Sequence, residues 1–272
     1  MSDTELANTF ARDGAVVIRG VLDAAAIGTL RAGIDANLAN PSANAKIASG
    51  ADDPGQFIED FCCWQANAHY RELIWNSALP RLAALLTGST QVRLYHDHML
   101  TKAAGTRQPT PWHQDQPYYN IDGRQTVSFW IPADQVLRES SLEFVAGSHL
   151  GPWLMPRTFM DSEAKWFPEG SLAELPDIDA DPARYPVLGW ALEPGDVLAF
   201  NMLSLHRAAG SATRRRVLSL RFVGDDVRHA PREWRTSPEF PGLAARLPAG
   251  AELNDPLFPL VWAGGQTCEM PR

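Results

Sequence analysis

The spacing of apolar positions changes near residue 90. Before it, Leu6 and Phe10 lie one helical turn apart. Ile27, Leu30 and Ile34 keep the same spacing through "DAAAIGTLRAGIDANLA", so both stretches predict helices. Asp23 stands at the N-cap of the second, where its carboxylate can accept from free N–H groups. "AVVIRGVL", residues 15–22, predicts a strand between them. "HYRELIWNSALPRLAALLTG" predicts two more helical segments, broken near Pro80 and ended by Gly88.

From residue 91 the period becomes two. In "QVRLYHDHMLTK" the alternation predicts Val92, Leu94, His96, His98 and Leu100 on one face of a strand. Residues 125–134, 141–149, 195–206 and 215–226 predict four more strands. Short strands with turn chemistry between them predict a sandwich or barrel. The stretch 150–190, rich in Pro, Trp and acidic residues, reads as a long insertion of the kind that lids a site. The proline-rich tail from 227 is expected to wrap the surface. No stretch resembles a linker, so residues 1–272 are expected to form one domain. It would have a helical part over 1–90, a β core over 91–226 carrying the insertion, and the tail over 227–272.

Composition narrows the function classes. The 272 residues carry a formal net charge of −8, which disfavours a nucleic-acid partner. Three cysteines, two of them adjacent, do not form a disulfide framework and point to a reducing, cytoplasmic setting. No apolar run approaches the roughly 20 residues of a membrane span. The expected partner is a small molecule, and the oligomeric state is not legible.

The chemistry concentrates in "PTPWHQDQPYY", residues 109–119. On a strand, His113 and Asp115 share a face and Gln114 turns away. An imidazole and a carboxylate suit a divalent iron, and His206 is the candidate third ligand. Two histidines and one carboxylate on one face leave coordination positions open, the arrangement of non-haem iron(II) oxygenases. A dianionic 2-oxo acid could fill two of them, leaving one for dioxygen. Its far carboxylate calls for an arginine fork. Arg215 shares a face with Val217, Ser219 and Arg221, whereas Arg216 does not. Trp112, Tyr118, Tyr119 and Trp130 are candidates to shape an apolar pocket.

Two other readings stay open on residues alone. His96 and His98 share a strand face and could hold zinc in a hydrolase, although no HExxH pattern accompanies them. The chain could also be a non-catalytic binding protein on the same scaffold. No GxSxG elbow or GxxxxGK[ST] loop supports other enzyme classes.

Several segments together resemble the phytanoyl-CoA dioxygenase family of iron(II)- and 2-oxoglutarate-dependent oxygenases. They are "FARDGAVVIRGVLD", "HDHMLTK…PTPWHQDQPYY", "SFWIPAD", "LEFVAGSH", "PGDVLAFNMLSLH" and "RRRVLSLRFVGDD". The resemblance implies a mainly β fold with flanking helices, a double-stranded β-helix or jelly-roll core. It implies iron ligation by His113, Asp115 and His206 and a clamp on 2-oxoglutarate at Arg215, with Arg216 as second candidate. It further implies 2-oxoglutarate contacts at His98 and Ser128. Because Asp115 supplies a carboxylate where related halogenases have a small residue, hydroxylation of a C–H bond with release of succinate and carbon dioxide is implied over halogenation. On the substrate side, Gln116, Tyr118 and Trp130 are candidates. Arg228, His229 and Trp234 could reach the mouth from the tail, favouring an anionic substrate.

Overall fold

A computed structural model describes residues 1–155, 167–168 and 170–271. Four helices open the fold: α1 (Asp3–Asp13), α2 (Ala24–Ala39), α3 (Ala68–Trp75) and α4 (Leu79–Thr87). Ser2 and Glu5 cap α1 reciprocally, and the Asp23 carboxylate accepts from Ala26 N–H at 2.8 Å to start α2. The break between α3 and α4 falls at residues 76–78, before Pro80. Pro80 lies inside the first turn of α4, where its missing N–H costs no helical bond.

The strands in chain order begin with β1 (Ala15–Ile18), β2 (Lys46–Ile47), β3 (Phe57–Phe61), β4 (Gln91–Lys102) and β5 (Thr110–His113). Next come β6 (Ile121–Asp122), β7 (Thr126–Pro132), β8 (Leu142–Val145), β9 (Val187–Gly189) and β10 (Val197–Phe200). The last are β11 (His206–Ala208), β12 (Arg215–Val223), β13 (Arg228–His229), β14 (Leu260–Ala263) and β15 (Gln266–Thr267). The large antiparallel sheet runs β1-β10-β7-β12-β4-β14-β15, with β3 and then β2 added beside β4. A smaller sheet, β5-β11-β8-β9, faces it and closes a jelly roll. A short helix, α5 (Leu243–Arg246), lies in the tail.

Strand alternation separates two cores. Phe129, Ile131, Leu218, Leu220 and Phe222 pack outward on the four helices. Trp130, Val217, Leu198 and Phe200 point between the sheets with Leu142 and Phe144. The helical residues share one core with the large sheet. The tail does more than wrap: β14 pairs with β4, and Leu243, Leu253 and Phe258 build a further core around Tyr95.

Two strand expectations are corrected. In β4 the pairing steps from Arg221↔His96 to Phe222↔Leu94, which leaves Tyr95 as an extra residue. That bulge switches faces, because one inserted residue inverts the alternation. Val92 and Leu94 therefore pack against the helices, while His98 and Leu100 face the interior. The run 195–206 is two strands, not one. The Asn201 side chain donates to the carbonyls of Arg124 and Thr126 and accepts from Leu203 N–H. The resulting turn carries the chain from the large sheet to the small one, so His206 begins a strand instead of ending one. Within the expected insertion at 150–190, residues 156–166 and 169 lie outside the described residues, and 187–189 form the edge strand β9.

Candidate metal centre

His113 ends β5 and pairs in register with His206 at the start of β11, so the fold itself brings the two imidazoles together, with ring centroids 4.2 Å apart. Asp115 arrives differently from the sequence expectation. It lies past the strand, in helical conformation at the entry to a 3-10 turn over Gln116–Tyr118. The N–H groups of Asp115 and Gln116 both donate to Met202 O at 2.9 Å, which turns the carboxylate back towards the histidines. Its Oδ1 lies 3.6 Å from His113 Nε2 and 3.8 Å from His206 Nε2. Gln114 faces away as expected. It is buried and bonded to Pro152 O, Leu203 O and Leu154 N–H.

The donor atoms are prepared for a cation. His113 Nδ1 lies 2.8 Å from Pro111 O, and His206 Nδ1 lies 2.9 Å from Ser204 O. A carbonyl only accepts, so both Nδ1 atoms carry the proton and both Nε2 lone pairs converge on Asp115. Burial and the neighbouring His113 push His206 down to about 3, which keeps it neutral. Burial alone would raise Asp115, but the Arg221 charge and the histidines hold its carboxyl well below the usual range. Arg221 donates to Asp115 Oδ2 at 3.1 Å and to Tyr119 Oη at 2.8 Å. Among the described residues, these three side chains form the one group whose ligand atoms all lie within coordinating reach, 4.8 Å, of one another.

Two cavities meet at this group and share Glu59, His98, His113, Asp115 and Arg221 as walls. The inner one runs between the sheets to Arg215. That guanidinium is buried, lies 5.5 Å over the Trp130 ring and donates to Ser140 O, but its Nε has no protein partner. Burial lowers its pKa to about 10. Among the described residues no carboxylate pairs with it. A buried, underpaired cation is costly, and an anion entering the cavity relieves it. Arg216 points the other way and is held by Asp134 at 2.8 Å and Asp35 at 2.7 Å. Ser128 lies behind the cavity wall, its hydroxyl 3.0 Å from that of Ser219, which lines it.

The outer cavity adds Lys46, Phe61, Tyr118, Tyr119 and Ser237. Glu59 spans its wall, bonded to His98 Nε2 and to Lys46, each at 3.0 Å. Burial opposes ionisation of Glu59, yet the hydrogen bond from His98 and the Lys46 charge hold its carboxyl below the usual range.

Several expected site residues are elsewhere. The 3-10 turn carries Gln116 away from both cavities, and it donates to Gly123 O. Trp130 lies under Arg215 on the inner side, not with the outer residues. Arg228 pairs with Glu252 and backbone carbonyls of its own segment, and His229 is buried; neither lines a cavity at the metal group. Trp234 bonds to Pro117 O and packs on Phe167, which in turn packs on Tyr118. Among the described residues the zinc reading of His96 and His98 finds no further ligands: His98 is bonded to Glu59, and the Asp97 carboxylate accepts from Cys63 and Trp64 N–H. Glu59, Lys46 and the role of Arg221 escaped the sequence reading. Arg221 alone left a signal, its shared face with Arg215.

The sequence pattern of the family described as "Phytanoyl-CoA dioxygenase (PhyH)" matches residues 10–217, well over half of the chain. The chain belongs to this family of iron- and 2-oxoglutarate-dependent enzymes. No curated protein matches it significantly by sequence. Among solved structures it resembles the α-ketoglutarate-dependent carbocyclase SnoK from nogalamycin biosynthesis, at 23% identity and TM-score 0.73, over 96% of each chain. It also resembles the epimerase SnoN in complex with Fe3+, α-ketoglutarate and nogalamycin RO, at 24% identity and TM-score 0.74, over 95% of this chain and 98% of that one. EvdO2 from Micromonospora carbonacea var. aurantiaca, complexed with 2-oxoglutarate, matches at 19% identity and TM-score 0.62, over 86% of this chain and 97% of that one. At these identities the likeness establishes the shared fold.

Proposed function

We propose that this protein is a dioxygenase that binds iron(II) through His113, Asp115 and His206 and oxidises a C–H bond of a small molecule at the expense of 2-oxoglutarate and dioxygen. The observation that carries the reading is the pairing of a converged two-histidine, one-carboxylate group with an underpaired buried arginine at the end of one cavity. Iron in such a site supplies oxygen activation coupled to decarboxylation of the 2-oxo acid.

The chain's own residues bind, orient and exclude water. The two Nδ1 hydrogen bonds aim the imidazole lone pairs, and Arg221 occupies Asp115 Oδ2 so that Oδ1 faces the metal position. Arg215, which lines the inner cavity beside Trp130 with no carboxylate partner among the described residues, would take the far carboxylate of 2-oxoglutarate with its guanidinium. Ser219, backed by Ser128, lines the same cavity. The outer cavity is left for the primary substrate, with Tyr118 in its wall. Hydroxylation is the outcome favoured by the carboxylate at Asp115, with succinate and carbon dioxide as co-products. The structural neighbours named as a carbocyclase and an epimerase represent other outcomes on the same fold.

The test is succinate release from 2-oxoglutarate by the iron(II)-loaded protein in air. Turnover that is lost with a chelator and in His206→Ala supports the proposal. Turnover unaffected by the variant refutes the assigned triad.

A further inference from the structure

His98 is the one histidine shared by both cavities that the metal group does not use. Its Nε2 lies 3.0 Å from Glu59 Oε2, and the other Glu59 oxygen is taken by Lys46. Its ring is stacked on Phe61 at 3.9 Å, which fixes its plane. An ionised carboxylate can only accept, so the ring proton resides on Nε2 and Nδ1 presents a bare lone pair. Nδ1 has no protein partner, and unlike His96 Nε2 it is not among the polar atoms sealed from open space. Burial lowers the His98 pKa, against the Glu59 hydrogen bond and charge, and so favours the neutral ring. 2-Oxoglutarate has only acceptor oxygens and so offers nothing to this nitrogen.

We infer that His98, oriented by Glu59, is a substrate-binding residue that accepts a hydrogen bond from a hydroxyl group, so that the primary substrate is a hydroxylated small molecule held by its O–H beside the metal. This rests on the function proposed above. It gives His98 a partner different from the co-substrate contact that the family resemblance implies. Phe61 and Tyr118 supply apolar wall to the same cavity, suited to the carbon frame of such an alcohol or phenol.

The test uses the full chain loaded anaerobically with iron(II) and 2-oxoglutarate, followed by the visible charge-transfer band. Benzyl alcohol and benzyl methyl ether are titrated separately. The pair differs in the donor proton, and one hydrogen bond to a buried acceptor corresponds to about tenfold in affinity. The expected result is about tenfold tighter binding of the alcohol, abolished in His98→Leu with the band retained. Glu59→Gln keeps the volume and can donate to Nε2, moving the proton to Nδ1. It is expected to abolish the preference as well, and it decides the matter if His98→Leu does not fold. Equal binding of both probes, binding of neither, or a preference that persists in the variants overturns the inference. Equal binding is also what a His98 serving only a metal-bound water predicts. A band present in the native protein and lost in His98→Leu overturns it too, by assigning His98 to the co-substrate. No band in the native protein instead defeats the proposed function.

Discussion

Arg221 donates to Oδ2 of Asp115 at 3.1 Å, on the oxygen that does not face the two imidazoles. Both side chains are buried, so the pair stands or falls together. Removing one partner of a buried ion pair strands the other charge and costs about 3–5 kcal/mol. Arg221→Leu is therefore expected to destabilise the metal-free protein by about that much in urea unfolding. The Arg221→Leu/Asp115→Leu double variant is expected to lose less than the sum of the two single changes. Additive losses would show that the pair is not coupled.

Arg215 and Arg216 are adjacent but serve different surfaces. Loss of a buried, hydrogen-bonded charge partner weakens binding by about 2–5 kcal/mol. Arg215→Ala is expected to raise the KM for 2-oxoglutarate at least about 30-fold, with Arg215→Lys between the two. Arg216→Ala breaks the pairs to Asp134 and Asp35 and is expected to lower stability with little change in that KM. Steady-state succinate release checks both, and the reverse ranking would reassign the clamp.

Lys102 is expected to imprint a pH dependence on stability. Burial lowers its ammonium pKa from 10.5 to about 7. Between those values the unfolded chain holds a proton that the folded chain has released, so stability rises with pH across that window. Lys102→Met is expected to remove the rise, measured by chemical unfolding at pH 7 and pH 10. Parallel profiles for the two proteins would contradict it.

Gln114 ties the turn holding Asp115 to the turn before His206 through Leu203 O, and to the segment at Pro152 and Leu154. Gln114→Ala leaves buried partners unmet at about 1–3 kcal/mol each. The expected result is a lowered melting temperature together with weaker iron(II) binding by calorimetry. Unchanged metal affinity would show that the triad is held without this tie.

Much of this site was legible because it follows from local spacing. Arg215 and Arg216 part to opposite faces of β12 by the i, i+2 rule, and Gln114 turns away from the group as expected, although it lies past the end of β5. The rule failed wherever a nonlocal hydrogen bond bent the chain. Met202 O pulls Asp115 out of the strand, and the Asn201 turn moves His206 to the other sheet. The bulge at Tyr95 inverts β4 partway along, which alternation alone cannot reveal. Glu59 left no trace, because its partners His98 and Lys46 reach it only through the pairing of β2, β3 and β4.

The most direct test of the account is an anaerobic absorbance titration of the metal-free protein with iron(II) and then 2-oxoglutarate, with His206→Ala beside it. The account predicts a weak visible charge-transfer band that requires both additions and is absent in the variant. Folded protein that binds iron(II) and shows no such band would contradict it.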